Sequence, residues 1–239
     1  MLNFNWLPRW IQNFNPQAAK PFLPSCVLCD CNIHEQHTIT YLCDICYQDL
    51  DLYPLGYDLK YHNPNAYDQL ELAHVAGITA VSDYLWPMAQ LLKNLKFQHK
   101  PYIARIVADL MHQQLKHLPW PTLDRICPVP LHPSRLAERG YNQAEVICDY
   151  LTPKLHLTPY QGLKRLKKTQ PQTDLNRTQR KLNLRDAFVS QQNLVGQKVL
   201  LVDDVMTTGT TLKQASDALI KSGADEVYIA VAAIRVFSC

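Results

Sequence analysis

One stretch, Val199-Leu200-Leu201-Val202-Asp203-Asp204-Val205-Met206-Thr207-Thr208-Gly209-Thr210-Thr211, combines side chains suited to a phosphate with side chains suited to a diol. Val199 to Val202 are apolar and partly β-branched, as a strand buried on both faces requires. Leu212, Ala215, Ala218, Leu219 and Ile220 then recur at helical spacing, and Gly223 stands where a C-cap glycine would. The order predicted is strand, acidic pair, hydroxyl-rich turn, helix. Successive N–H groups at a helix N-terminus, flanked by Thr hydroxyls, form a concave donor site for phosphate. Gly209 lets the backbone approach the anion closely. Asp203 and Asp204 can only accept hydrogen bonds, so the pair suits the vicinal hydroxyls of a ribose. A 5-phosphorylated ribose satisfies both halves.

The stretch resembles the phosphoribosyl pyrophosphate (PRPP) motif of type I phosphoribosyltransferases. Two other readings fit less well. A Walker A loop needs a Lys directly after its last glycine, and Thr210 stands there instead. A magnesium site of a phospho-acceptor domain would leave the threonine run without a purpose. The remaining alternative is a strand–turn–helix with no ligand.

A second constellation is Cys26-x2-Cys29 and, thirteen residues on, Cys43-x2-Cys46. Two such pairs match a tetrahedral zinc site of the ribbon type, slightly short in its spacer. The expected role is structural. Cys31, His34 and His37 are further candidate ligands or spectators, and Cys127, Cys148 and Cys239 read as ordinary thiols. Disulfides compete with zinc only outside the cytosol.

The chain has 239 residues and a net charge of +3, and with 47% apolar residues it can build a substantial core. No apolar run approaches the ~18 residues of a membrane span. The first residues lack a secretory pattern, so the expected location is the cytoplasm, with peripheral attachment at the inner membrane face as the variant. Leu7, Trp10, Ile11 and Phe14 share one helical face. That face is expected to dock on the body rather than on a membrane, since an anchor wants several basic residues on its polar face and residues 1–14 carry only Arg9. The expected organisation is an amphipathic segment (1–21), a zinc-ribbon module (22–56) and an α/β domain (67–239). Chelation should then destabilise the module and spare the α/β domain.

Within the α/β domain, Leu70, Leu72, His74, Ala76 and Ile78 alternate as in a strand, with His74 read as a packed or hydrogen-bonded histidine. Residues 86–97 predict a helix ending near Lys93, Lys96 and Lys100, and Pro101 opens another. A strand at 125–130 precedes a long polar loop, 131–143, and a helix at 144–150. Loops at the C-terminal ends of parallel strands are where ligands bind. Arg135, Arg139 and the backbone at Gly140 suit a pyrophosphate, while Asn142 suits a helix cap. Residues 226–234 predict a strand buried on both faces, following the 212–220 helix in a right-handed parallel crossover. The fold expected is an α/β parallel sheet with helices on both faces.

Charge is strongly polarised. Lys164, Arg165, Lys167, Lys168, Arg177, Arg180, Lys181 and Arg185 stand against the single Asp174, a net of +7 that leaves the remaining chain at −4. This segment reads as a mobile hood over the pyrophosphate, as a backbone-tracking patch for single-stranded DNA, or as a solvated face. No aromatic residue lies in it on which a base could stack.

Taken jointly, the motifs become more specific. They are the paired cysteines, Pro128-Val129-Pro130-Leu131-His132-Pro133, Arg139-Gly140-Tyr141-Asn142-Gln143, Gln172 with Leu175, Arg177, Arg180 and Asn183 before Ala187-Phe188, and the 203–211 run. Together they resemble the ComF family, phosphoribosyltransferase-fold proteins associated with DNA uptake in naturally competent bacteria. The resemblance covers nearly the whole chain from residue 22. It implies a type I phosphoribosyltransferase-like domain behind a zinc ribbon, PRPP carried with Mg2+, and a role in internalising single-stranded transforming DNA. Partners implied are that DNA and a DNA-uptake helicase or other competence protein. An active phosphoribosyltransferase with an unidentified nucleobase-like acceptor is the alternative. In that case the catalytic roles fall on Asp203 and Asp204, orienting the sugar, and on Arg139, neutralising the departing pyrophosphate.

Overall fold

The computed structural model describes residues 25–33, 39, 41–70, 72, 74–97, 102–166 and 187–235. The expected N-terminal helical face, His34, His37, Lys100, Pro101 and Cys239 lie outside them. So do Lys167, Lys168, Arg177, Arg180, Lys181 and Arg185 of the basic segment.

The described chain opens with a knuckle closed by a bridge between Ser25 and Asn32. Helix α1 (Asp44–Gln48) follows, and residues 52–53 then run along the future β1, with Tyr53 N–H donating to the Val81 carbonyl at 2.8 Å. Helices α2 (Leu59–His62) and α3 (Pro64–Gln69) are capped by Asp58 and Asn63. Strand β1 (Val75–Asp83) leads to helices α4 (Met88–Phe97) and α5 (Ile103–Leu115), then to β2 (Arg125–Pro128). Helices α6 (Pro133–Arg139) and α7 (Gln143–Leu155) come next, then β3 (Thr158–Pro159), β4 (Leu163–Arg165) and β5 (Phe188–Ser190). Strand β6 (Lys198–Met206), helix α8 (Thr210–Lys221) and β7 (Glu226–Ile234) complete the fold.

The main sheet has the order β1-β7-β6-β2-β3 with every pairing parallel, so β6 is central. Its side chains alternate between faces as the pleat demands. Leu200 and Val202 pack under α4, α5 and α7, whereas Val199 and Leu201 pack under Leu212, Ala215 and Leu219 of α8. The α/β architecture with helices on both faces agrees with the sequence. Strands β4 and β5 form a separate antiparallel pair that brackets the basic segment, rather than two strands of the main sheet.

Two local expectations need correction. The first strand begins at Val75 rather than Leu70, because Asn63 and Pro64 commit residues 64–69 to a helix. His74 is tied down, as read, with Nε2 3.0 Å from both the Ser216 hydroxyl and Asp217 Oδ1. The polar loop at 131–143 contains α6, started by a His132 ring nitrogen that accepts from Ser134 N–H and stopped at Gly140 in the left-handed region. None of its residues is buried, so no apolar period announced it. Cys26, Ile33, Ile39, Leu42, Cys46 and Leu50 belong to the same apolar cluster as Leu91, Leu95, Ile106 and Ile147.

Candidate functional site

The turn after β6 lies at the C-terminal end of the central strand, with a pocket lined by Asp203, Val205, Met206, Thr207, Thr208, Gly209, Thr210, Thr211 and Leu212. Gly209 precedes α8 with φ +71, and a Cβ there would sit 3.0 Å from Leu70 Cδ2. The first α8 amide to find a helical partner is Lys213 N–H, bonded to the Gly209 carbonyl at 2.8 Å. The N–H groups of Thr210, Thr211 and Leu212 precede it and have no partner within the helix. The Thr208 and Thr210 hydroxyls, 3.0 Å apart, flank them. The turn therefore presents convergent donors to an anion. Gly209→Ala is expected to lower unfolding free energy by about 1–2 kcal/mol through its positive φ, with Leu70 displaced as well; chemical denaturation checks this.

The structure divides the acidic pair. Asp203 lines the pocket and accepts from Asp204 N–H at 2.9 Å. Burial, then the adjacent Asp204 carboxylate, push Asp203 up to about 7, against the opposing pull of that hydrogen bond, Lys96 and Arg165. Carboxylates raised in this way by burial and a like charge cluster at functional sites. Asp204 follows the face of Leu200 and Val202, and its Oδ2 lies 2.8 Å from Lys96 Nζ. Lys96, on α4, is the site residue that sequence reasoning missed. It read as part of a scaffold helix, and nothing local marks a lysine whose partner lies more than a hundred residues away.

The segment after β2 reaches the same end of the sheet, because β2 pairs with β6. Arg139 closes α6 and donates from Nη1 to Gln143 Oε1 at 3.1 Å, with Gly140 beside it at φ +79. Asn142 caps α7, accepting from Ala144 N–H while its own amide donates to the Val129 carbonyl. Arg165, half-buried over the Phe188 ring at 5.3 Å, feels both Asp203 and Arg135 electrostatically; burial, then Arg135, lower its pKa. The base of the basic segment thus faces the acidic pair, with Lys164 exposed beside it.

The sulfurs of Cys26, Cys29, Cys43 and Cys46 all lie within 4.8 Å of one another. Cys43 doubles as the N-cap of α1, its sulfur accepting from Cys46 N–H at 3.5 Å. Burial opposes ionisation of Cys26, yet backbone N–H groups of Cys43, Leu28 and Cys29 outweigh it and bring the thiol to about 7. Burial, then the neighbouring thiols, push Cys46 far up. Four soft donors that cannot all ionise without a cation are compatible with structural zinc. Cys31 is exposed and outside the four-sulfur cluster.

A parallel α/β sheet carrying an acidic strand end and a threonine–glycine cradle defines the type I phosphoribosyltransferase fold. The Phosphoribosyl transferase domain model accordingly matches residues 141–235. Relatives extend the likeness over most of the chain. Competence protein F of Haemophilus influenzae is 32% identical over 222 residues, 85% of this chain and 94% of that protein. The DNA utilization protein YhgH of Escherichia coli K12 is 32% identical over 157 residues, 64% and 69% of the two chains. Competence protein ComFC of Streptococcus pneumoniae is 25% identical over 62% of this chain and 64% of that one. The chain belongs to the ComF family of phosphoribosyltransferase-fold proteins. Among the described residues no helix is long and apolar enough to cross a membrane.

Proposed function

We propose that the protein binds PRPP, or a ribose 5-phosphate-like ligand, at the 203–211 turn and acts in natural competence, supporting internalisation of single-stranded transforming DNA. The observation that carries the ligand is the joint lining of one pocket by Asp203 and the Thr207–Thr211 cradle at the end of the central strand. The cradle donates to the 5-phosphate, and Asp203 accepts from a ribose hydroxyl. Arg139, at the neighbouring strand end, and the basic segment anchored at Arg165 receive the pyrophosphate. Magnesium brought in with PRPP would supply positive charge against the pyrophosphate. The Cys26, Cys29, Cys43 and Cys46 set holds zinc as a structural centre.

The DNA role is supported by the names of two groups of relatives, competence proteins and DNA utilization proteins, and by the +7 segment at 164–185. Lys164, Arg165, Lys167, Lys168, Arg177, Arg180 and Lys181 would track the phosphate backbone. The same groups serve either ligand, so DNA and PRPP are expected to influence one another. A second reading, phosphoribosyl transfer to a nucleobase-like acceptor, rests on the same pocket. There Asp203 would orient the sugar while Arg139 stabilises the leaving pyrophosphate as positive charge develops at C1.

The test is titration of the protein with labelled single-stranded DNA, with and without magnesium–PRPP, at two salt concentrations. Expected is binding that weakens steeply with salt, by about tenfold or more for a fourfold rise, and that PRPP changes. PRPP binding with no DNA binding at low salt would favour the transferase reading instead.

A further inference from the structure

The last turn of α4 touches both halves of the site. The Leu95 carbonyl accepts a hydrogen bond from the Tyr141 hydroxyl, in the segment after β2. One residue on, Lys96 Nζ meets Asp204 Oδ2 at 2.8 Å. The side chains of this pair are only 18% and 10% exposed, against 34% and 38% for the surface pair Lys213–Asp217. Solvent therefore screens the Lys96–Asp204 attraction weakly. Placing a lysine this deep costs its rotamer freedom and part of its hydration, and an uncharged side chain of similar size would pack there without that cost. A charge retained at this place points to the site beside it.

The connection runs through two bonds. Lys96 fixes the Asp204 side chain, and the Asp204 N–H donates to Asp203 Oδ1 at 2.9 Å, aiming the carboxylate that faces the pocket. We infer that Lys96 is a positioning residue of the PRPP site, holding Asp204 and supplying the positive charge that keeps Asp203 available as an acceptor for the ribose. The role rests on the PRPP reading of the pocket. Of the described cations around Asp203, Lys96 exerts the larger pull. Asp204 adds negative charge from β6, and the Cys148 thiol of α7 lies within electrostatic reach. Among the described residues the cations are Lys96 from α4 and Arg165 from β4, and Arg165 is itself opposed by Arg135 of α6. Lys96 is bonded directly to the acidic pair through Asp204.

The experiment is calorimetric titration with magnesium–PRPP, from mildly acidic to mildly alkaline pH, of wild type, Lys96→Met and Lys96→Arg. Wild-type affinity is expected to rise through neutrality as Asp203 ionises. Lys96→Met weakens binding about tenfold at neutral pH and moves the midpoint of the profile up by about one unit, so its loss shrinks as pH rises. Lys96→Arg restores most of the affinity. If the methionine variant does not fold, Lys96→Gln, which keeps a donor without the charge, carries the same comparison. An unmoved profile, or an equal loss at every pH that Arg does not repair, overturns the positioning role while leaving the PRPP reading standing. Absence of PRPP binding by wild type overturns both.

Discussion

Asp203→Asn is expected to lose about a hundredfold in affinity for magnesium–PRPP while making the folded protein more stable at neutral pH. The two signs have one cause. A ribose hydroxyl needs an acceptor, and the amide keeps the shape of the carboxyl while replacing half of its accepting capacity with donors. Donors facing hydroxyls already committed to donation leave polar atoms unpaired in a closed site, a cost of about 2–3 kcal/mol. Stability moves the other way. Burial and the Asp204 carboxylate raise Asp203 from 3.8 to about 7, so the folded chain holds this proton more tightly than the unfolded one. Its contribution is fully present below the unfolded pKa and is lost as pH rises toward 7. Asparagine removes the titration, so the variant gains about 4 kcal/mol at about pH 8 and little at about pH 4. Thermal melts at both pH values with paired calorimetric titrations check this. A variant that binds PRPP like wild type would sink the assignment of the acidic pair.

Removing the metal from the cysteine cluster is expected to lower the melting temperature of the whole chain by about 10 °C, in a single transition. The sequence alone suggested a module that melts by itself. The structure places Cys26 and Cys46 in the apolar cluster that contains Leu91, Leu95, Ile106 and Ile147. Without a cation the four sulfurs, all within 4.8 Å, cannot all be thiolates, and the burial that raises Cys46 works against the site. Loosening the knuckle then exposes the face of α4 and α5 on which Leu42 and Ile39 rest. Scanning calorimetry with and without a strong chelator, together with metal analysis of the purified protein, tests it. A chelator-insensitive melt removes the structural metal; a low-temperature transition beneath an unshifted main one restores the independent module.

Much of this was decided locally. The run 199–211 could be read because a strand, a turn and a helix N-terminus lie consecutively, and each has its own residue signature. The cysteine pairs were legible for the same reason, since each pair presents its two sulfurs from one turn. Asn142 as a cap and the final strand at 226–234 also depend on neighbours in sequence alone. Helix α6 escaped, because a helix with no buried residue has no apolar period to reveal it.

What the tertiary structure decided concerns residues that meet only after the sheet closes. The pleat sends Asp203 into the pocket and Asp204 to the other face, so a pair that looked equivalent takes two partners. Lys96 joins the site from a helix formed a hundred residues earlier, through a contact with no sequence period. Cys26, Ile39 and Leu42 fall in one apolar cluster with residues of α4, α5 and the sheet, a grouping with no sequence period. Local chemistry named the ligand class, since residue types and short spacings fix donors and acceptors. Long-range packing set the neighbours, because only the closed sheet fixes which charges lie next to one another.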